Sequence, residues 1–97
     1  MEILFHKDAE IEFNQSIDYY KAISPILGID FTNEVYKSIK RISSHPSAWS
    51  TIDADIKRIL VNRFPYGVLY SSKKKSIYII AIMNLHRKPN YWKDRLN

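Results

Sequence analysis

The sequence predicts an α+β fold: an antiparallel four-stranded sheet with an N-terminal helical hairpin packed on one face, in the order β-α-α-β-β-β, ending in a short turn or helix. Three observations predict it. Apolar residues recur at helical spacing as far as Ile42. After Trp49 the period changes and β-branched and aromatic residues take over. The last long strand is apolar on both faces, which calls for a sheet covered on both sides. The length of 97 residues fits one domain spanning 1–97, with no repeat, low-complexity tract or Gly/Ser linker to divide it.

Glu2 to Phe5 stands before a helix signal and reads as the first strand. Asp8 is the expected N-cap of the first helix, with Glu10 and Glu12 placed where the helix dipole favours them. Ala9, Phe13, Ile17, Tyr20 and Ile23 form one face to about Ser24. Pro25 and Gly28 interrupt it. The second helix carries Phe31, Val35, Ile39 and Ile42, is capped by Asp30 or Thr32, and closes at Ser43-Ser44-His45-Pro46. A loop through Trp49 and Asp53 follows. Three strands are expected at Ile56–Asn62, Tyr66–Ser71 and Ser76–Met83, with Ser72-Lys73-Lys74-Lys75 as a hairpin connector. Pro65 cannot donate to a ladder and belongs at the turn between the first two.

Strict alternation puts Ile77, Ile79, Ala81 and Met83 on one face of the last strand and Tyr78, Ile80 and Ile82 on the other. The helical hairpin can cover only one. The second must be closed by the C-terminal tail, by another chain, or by both. Trp92 and Leu96, four apart after Pro89, suit a terminal turn laid on the sheet as a lid.

Composition excludes several chemistries. The absence of cysteine rules out disulfide scaffolds, thiolate zinc sites, iron–sulfur clusters and thiol catalysis. No apolar run approaches the ~20 residues of a membrane span, and Met1–His6 lacks the form of a signal peptide. A cytoplasmic protein is the expectation. The net charge of +5 divides unequally: −4 through Ile56 and +9 from Lys57 onwards. The second part should meet something anionic, either nucleic acid or an acidic polypeptide, unless the two parts neutralise one another.

His6, His45 and His86 have no metal-ligand spacing, and no phosphate loop or nucleotide fingerprint is present. No metal or cofactor is expected. Asp53 and Asp55 read as solvated loop residues ahead of paired acids. Lys73, Lys74 and Lys75 read equally as a phosphate-binding turn or as a solubilising one. The more specific set is Arg58, Arg63, Arg87 and Arg95 with Tyr66, Tyr70, Tyr78, Tyr91 and Trp92. Arginine forks take phosphate or carboxylate bidentately, and aromatic faces stack bases or anchor a protein. Alternation puts Arg58 with Leu60 and Arg63 with Ile59 and Val61, so these two need not share a site. For Tyr70 and Tyr78 an ordinary place in the sheet is the stronger reading.

Arg63-Phe64-Pro65-Tyr66-Gly67-Val68-Leu69-Tyr70 resembles the "RFPY…Y" strand pair of the RelE/ParE superfamily of bacterial toxins. Arg87-Lys88-Pro89-Asn90-Tyr91-Trp92-Lys93-Asp94-Arg95 is similar to its "R-x-P-x-YW-x-x-R" ending. Ala9, Tyr20, Phe31 and Pro46 also match, so the resemblance covers essentially the whole chain and lies nearer the ParE-like branch. It implies the toxin of a type II toxin–antitoxin, or plasmid stabilisation, module held by a cognate antitoxin in a hetero-oligomer. ParE-like members inhibit DNA gyrase and are not nucleases. RelE-like members cut mRNA on the ribosome without a metal; for that activity the resemblance implies Arg58, Arg63 and Arg87 as charge stabilisers and His86 or Tyr91 in proton transfer. Many relatives have His where this chain has Asn84, and no Glu follows Ile56, both of which weigh against the nuclease. A stabilisation module without toxicity is the third reading. Target or antitoxin contacts are expected at Arg58, Arg63, Tyr70, Tyr78, Arg87, Tyr91, Trp92 and Arg95.

Overall fold

The computed structural model describes residues 2–96, ordered β1 (Glu2–Phe5), α1 (Lys7–Ile23), α2 (Pro25–Ser44), β2 (Ser50–Asp53), β3 (Ile56–Leu60), β4 (Tyr66–Lys73), β5 (Ser76–Asn84) and a terminal 3₁₀ turn at Lys93–Leu96. The sheet has five strands in the order β1-β5-β4-β3-β2. It is mixed, not antiparallel: β1 runs parallel to β5, and the other neighbours are antiparallel. β1 and β5 are far apart in sequence, so no tight hairpin forces them antiparallel. The fifth strand, β2, occupies the segment expected to be a loop. Ser50, Thr51 and Ile52 are all exposed, so the strand lacks the in–out alternation that betrays one. Its turn into β3 is tight, with Ala54 at φ 44°.

The hairpin forms as expected, with two local differences. His6, not Asp8, caps α1: its Nδ1 accepts the Asp8 N–H at 3.0 Å. α2 begins at Pro25, whose missing N–H is harmless at a first helical position, so neither Asp30 nor Thr32 is a cap. Gly28 lies inside α2 instead of breaking it. A Cβ there would stand 2.9 Å from the Lys21 Cβ, so glycine is what lets the two helices approach.

The hairpin covers one sheet face. Phe13, Phe31, Val35, Ile39 and Ile42 pack on Ile59, Val68, Tyr70, Ile77, Ile79 and Ile82. At one end the rings of Tyr20, Phe31, Phe64 and Tyr66 meet with centroids 4.8 to 6.1 Å apart. The opposite face has its own core of Ile56, Leu69, Ile80, Ala81, Met83 and Trp92. Strict alternation fails on β5 because Leu69 pairs with Ala81 and Tyr70 with Ile79, which leaves Ile80 as an extra residue. This bulge turns Ile82 to the hairpin side and Ala81 to the other.

The C-terminal tail closes the second face. Trp92 is buried there, and its Nε1–H donates to the Pro89 carbonyl at 2.8 Å. Leu96 remains 45% exposed, so the lid is carried by Trp92 and not by both residues. No helix among the described residues is long and apolar enough to cross a membrane. Trp92→Ala should cost about 3–5 kcal/mol, because it empties the centre of the second core. Urea denaturation of the two proteins, compared at equal m-value, measures this directly.

Candidate functional site

The basic tail is anchored to an acid from the other end of the chain. Glu12, on α1, has both carboxylate oxygens engaged. Oε1 accepts the Ile82 N–H at 3.0 Å and Arg95 Nη1 at 2.8 Å; Oε2 accepts Arg95 Nη2 at 2.8 Å and the Tyr91 hydroxyl at 2.6 Å. Arg87 Nη1 stands 3.7 Å from Oε2. Glu12 and Arg95 side chains are each only 11% exposed, so this bidentate pair is largely withdrawn from water. Arg95 Nη1 also donates to the Ile80 carbonyl at 3.0 Å. Beyond Phe5, β1 no longer lines β5, and the bonds at Ile80 and Ile82 satisfy backbone groups on that uncovered edge.

Tyr91 lies between two cations: the guanidinium of Arg87 is 3.9 Å from its ring centroid and that of Arg95 5.0 Å. Burial, then the bond to Glu12, holds the Tyr91 hydroxyl well above the ordinary phenol range. The bond between Arg95 and Glu12 raises the guanidinium further. Tyr91 therefore keeps its proton, and Arg95 can grip another anion only by surrendering Glu12.

The other candidates separate. Arg87 is half exposed and presents its fork while stacked on Tyr91. Arg58 is half-buried, its stem lying across Gly67, where a Cβ would come within 3.0 Å of the Arg58 Cδ. Arg63 belongs elsewhere: at φ 71° in the turn after β3, it pairs with Asp30 of α2 at 3.3 Å. Tyr78 is partly buried on the tail side, edge-on to His6. Tyr70 and Trp92, expected from the sequence as contact residues, are buried and have no surface with which to touch a partner. The Tyr70 hydroxyl donates to the Pro46 carbonyl at 2.6 Å, and burial pushes its pKa up to about 12.

His86 is exposed in the turn after β5; its backbone N–H donates to Asn84 Oδ1 at 2.9 Å. Asp53, at the end of β2, forms an ion pair with Lys93 at 3.4 Å. The lysines sit at the β4–β5 tip with Lys74 at φ 50°. Among the described residues no cluster of three or more His, Asp or Glu side chains could hold a metal. The residue missed by sequence reasoning is Glu12. Its signal was the acidic Asp8–Glu12 pair, spaced i, i+4 beside the apolar stripe of a helix whose chain ends in arginines.

No family profile matches the chain, and no curated protein matches it. Its fold does match solved structures. One, described as "Chromosomal ParDE TA system from P. aeruginosa", superposes with a TM-score of 0.76 at 16% identity, over 89% of this chain and 97% of that one. At that identity the likeness establishes the fold: that of a chain from a toxin–antitoxin system. The resemblance read from the two C-terminal motifs thus points to the same architecture.

Glu12→Leu and Arg95→Met should each destabilise by about 3–5 kcal/mol, since each strands a buried partner. Combined with Glu12→Leu, Arg95→Met should cost much less than the sum, and a thermal-melt double-mutant cycle tests this. The tyrosines give a pH prediction. The folded-state pKa values of Tyr70 and Tyr91 lie above the ordinary phenol value of 10.0, so their contribution is intact below pH 10 and declines above it. Tyrosinate absorbance should show these two ionising above pH 10, together with alkaline unfolding.

Proposed function

We propose that this protein is the toxin of a type II toxin–antitoxin module: a ParE-like growth inhibitor that acts in the cytoplasm by binding DNA gyrase and is neutralised by a cognate antitoxin. The observation that carries the reading is the fold shared with a ParDE-system chain over nearly its full length. The two C-terminal motifs support it: the first supplies core residues Phe64, Tyr66 and Tyr70, and the second supplies the anchored basic tail of Arg87, Tyr91 and Arg95.

The disposition of the proton-transfer candidates favours a binding protein over a nuclease. A metal-free RNase of the RelE type needs a group that takes the 2′-hydroxyl proton and another that protonates the leaving oxygen. Tyr91 donates to Glu12, and that carboxylate already accepts four bonds. Arg63 is tied to Asp30, apart from Arg58 and Arg87. What stays presented is Arg87, part of Arg58 and His86, a set suited to gripping carboxylates or a protein surface. Neutralisation by the antitoxin then takes a defined form, in which an acidic or amphipathic segment lies against the exposed fork of Arg87 and against Arg58, which has no carboxylate partner among the described residues.

Expression of the chain alone tests the reading. Growth should stop with induction of the DNA-damage response and with mRNA intact; codon-positioned mRNA cleavage would establish the RelE-like reading instead, and undisturbed growth the inactive stabilisation module. Arg87→Ala at equal protein level should weaken inhibition about tenfold, the loss of one charge-assisted contact. Unchanged inhibition would remove the tail surface from the proposal.

A further inference from the structure

The outer margin of the sheet is only half protected. β2 begins at Ser50 opposite Arg58 and runs on to Asp53 opposite Ile56, so its cover of β3 stops at Arg58 and does not reach Leu60. Val61 donates its N–H to the Tyr66 carbonyl at 2.9 Å and Ile59 faces Val68, so the backbone groups of Leu60 between them point the other way, out of the sheet, just before the turn at Asn62. No strand among the described residues pairs with them there. Leu60 is 54% exposed, an apolar side chain beside a bare edge. Sheets normally blunt such margins, because a bare edge is a template for another chain.

Beside this edge lies a groove of about 560 Å³ walled by Arg41 of α2, Trp49, Arg58, Leu60 and Asn62. No acidic residue lines it. Arg41 and Arg58 are half-buried, and among the described residues neither pairs with a carboxylate. The Trp49 indole N–H, screened from solvent, has no acceptor. Two partly desolvated cations, an apolar contact and outward backbone groups thus converge on one strip.

We propose that the free edge of β3 accepts an extended acidic segment of a partner protein as an added strand, with side-chain carboxylates on Arg41 and Arg58. Backbone bonds to Leu60 supply register, Asn62 walls the end of the groove, and the arginines supply selectivity. An RNA strand would use the arginines and Trp49 but leave the edge and Leu60 unanswered. The inference deepens the toxin–antitoxin reading by locating a contact, and rests on it only for the partner's identity.

The test is a titration of the isotope-labelled protein, followed by amide NMR, with an acetylated peptide of alternating Val and Glu, roughly eight residues long as a strand is. Saturable shifts should centre on Leu60 and the neighbouring Asn62, and the Leu60 amide should exchange more slowly in the complex. Arg41→Ala and Arg58→Ala should each weaken binding about tenfold, as should replacing Glu by Gln in the peptide. Leu60→Pro should abolish binding and leave the remaining spectrum native, because that N–H serves no bond within the sheet. Absence of shifts at the edge, binding that survives Leu60→Pro in a folded protein, or tighter binding of octauridylate at these residues would each overturn the proposal. A chain without toxicity that still binds the peptide would sink the toxin reading and leave this one standing; toxicity without peptide binding would do the reverse.

Discussion

The carboxylate of Glu12 and the guanidinium of Arg95 close the two ends of the chain onto each other, and much of the structure follows from that contact. β1 is too short to line the whole of β5, and the bulge at Ile80 leaves backbone groups of β5 facing α1 and the tail. Glu12 takes the Ile82 N–H and Arg95 gives a bond to the Ile80 carbonyl. Each therefore satisfies the sheet as well as its partner. A buried ion pair is seldom worth more than the hydration it gives up, but its groups become a liability when separated. The pair thus works as a latch: it sets where the tail lies, and so places Trp92 over the second core and Tyr91 between two arginines.

The uneven charge of the sequence acquires a structural meaning. Arg95 and Arg87 lie against Glu12, Arg63 against Asp30 and Lys93 against Asp53, each pairing a cation of the basic part with an acid of the acidic part. For these residues the neutralising reading of the charge split is right. Arg41 and Arg58 are different, since no carboxylate among the described residues answers them. The excess charge is thereby concentrated near the β3 edge and the exposed turns, instead of being spread over the C-terminal part.

Most of the architecture was legible because burial there follows a simple period. The helical faces built on Phe13 and Phe31 and the strands from Ile56 onward emerge from spacing alone, as does the need to close a doubly apolar sheet. The features that escaped are those in which period and environment separate. β2 is largely exposed and carries no alternation. Gly28 serves helix–helix approach, which looks like a breaker in one dimension. The Ile80 bulge reverses faces in a run where every residue is apolar, so nothing marks the slip. Glu12 looked like an ordinary dipole-friendly acid, since its partners lie 79 and 83 residues away. Tyr70 and Trp92 had the composition of contact residues and the burial of core ones.

The placement of Arg58 ties the two proposals together. Its stem crosses Gly67 on the sheet face closed by the tail, and it also walls the groove at the bare edge of β3. An acidic strand docked at Leu60 would engage this fork and withdraw it from any target that approaches the tail side. Neutralisation would then need neither a rearrangement of the fold nor release of Arg95 from Glu12. Competition for one half-buried arginine suffices, with Arg41 adding affinity on the side the target does not use.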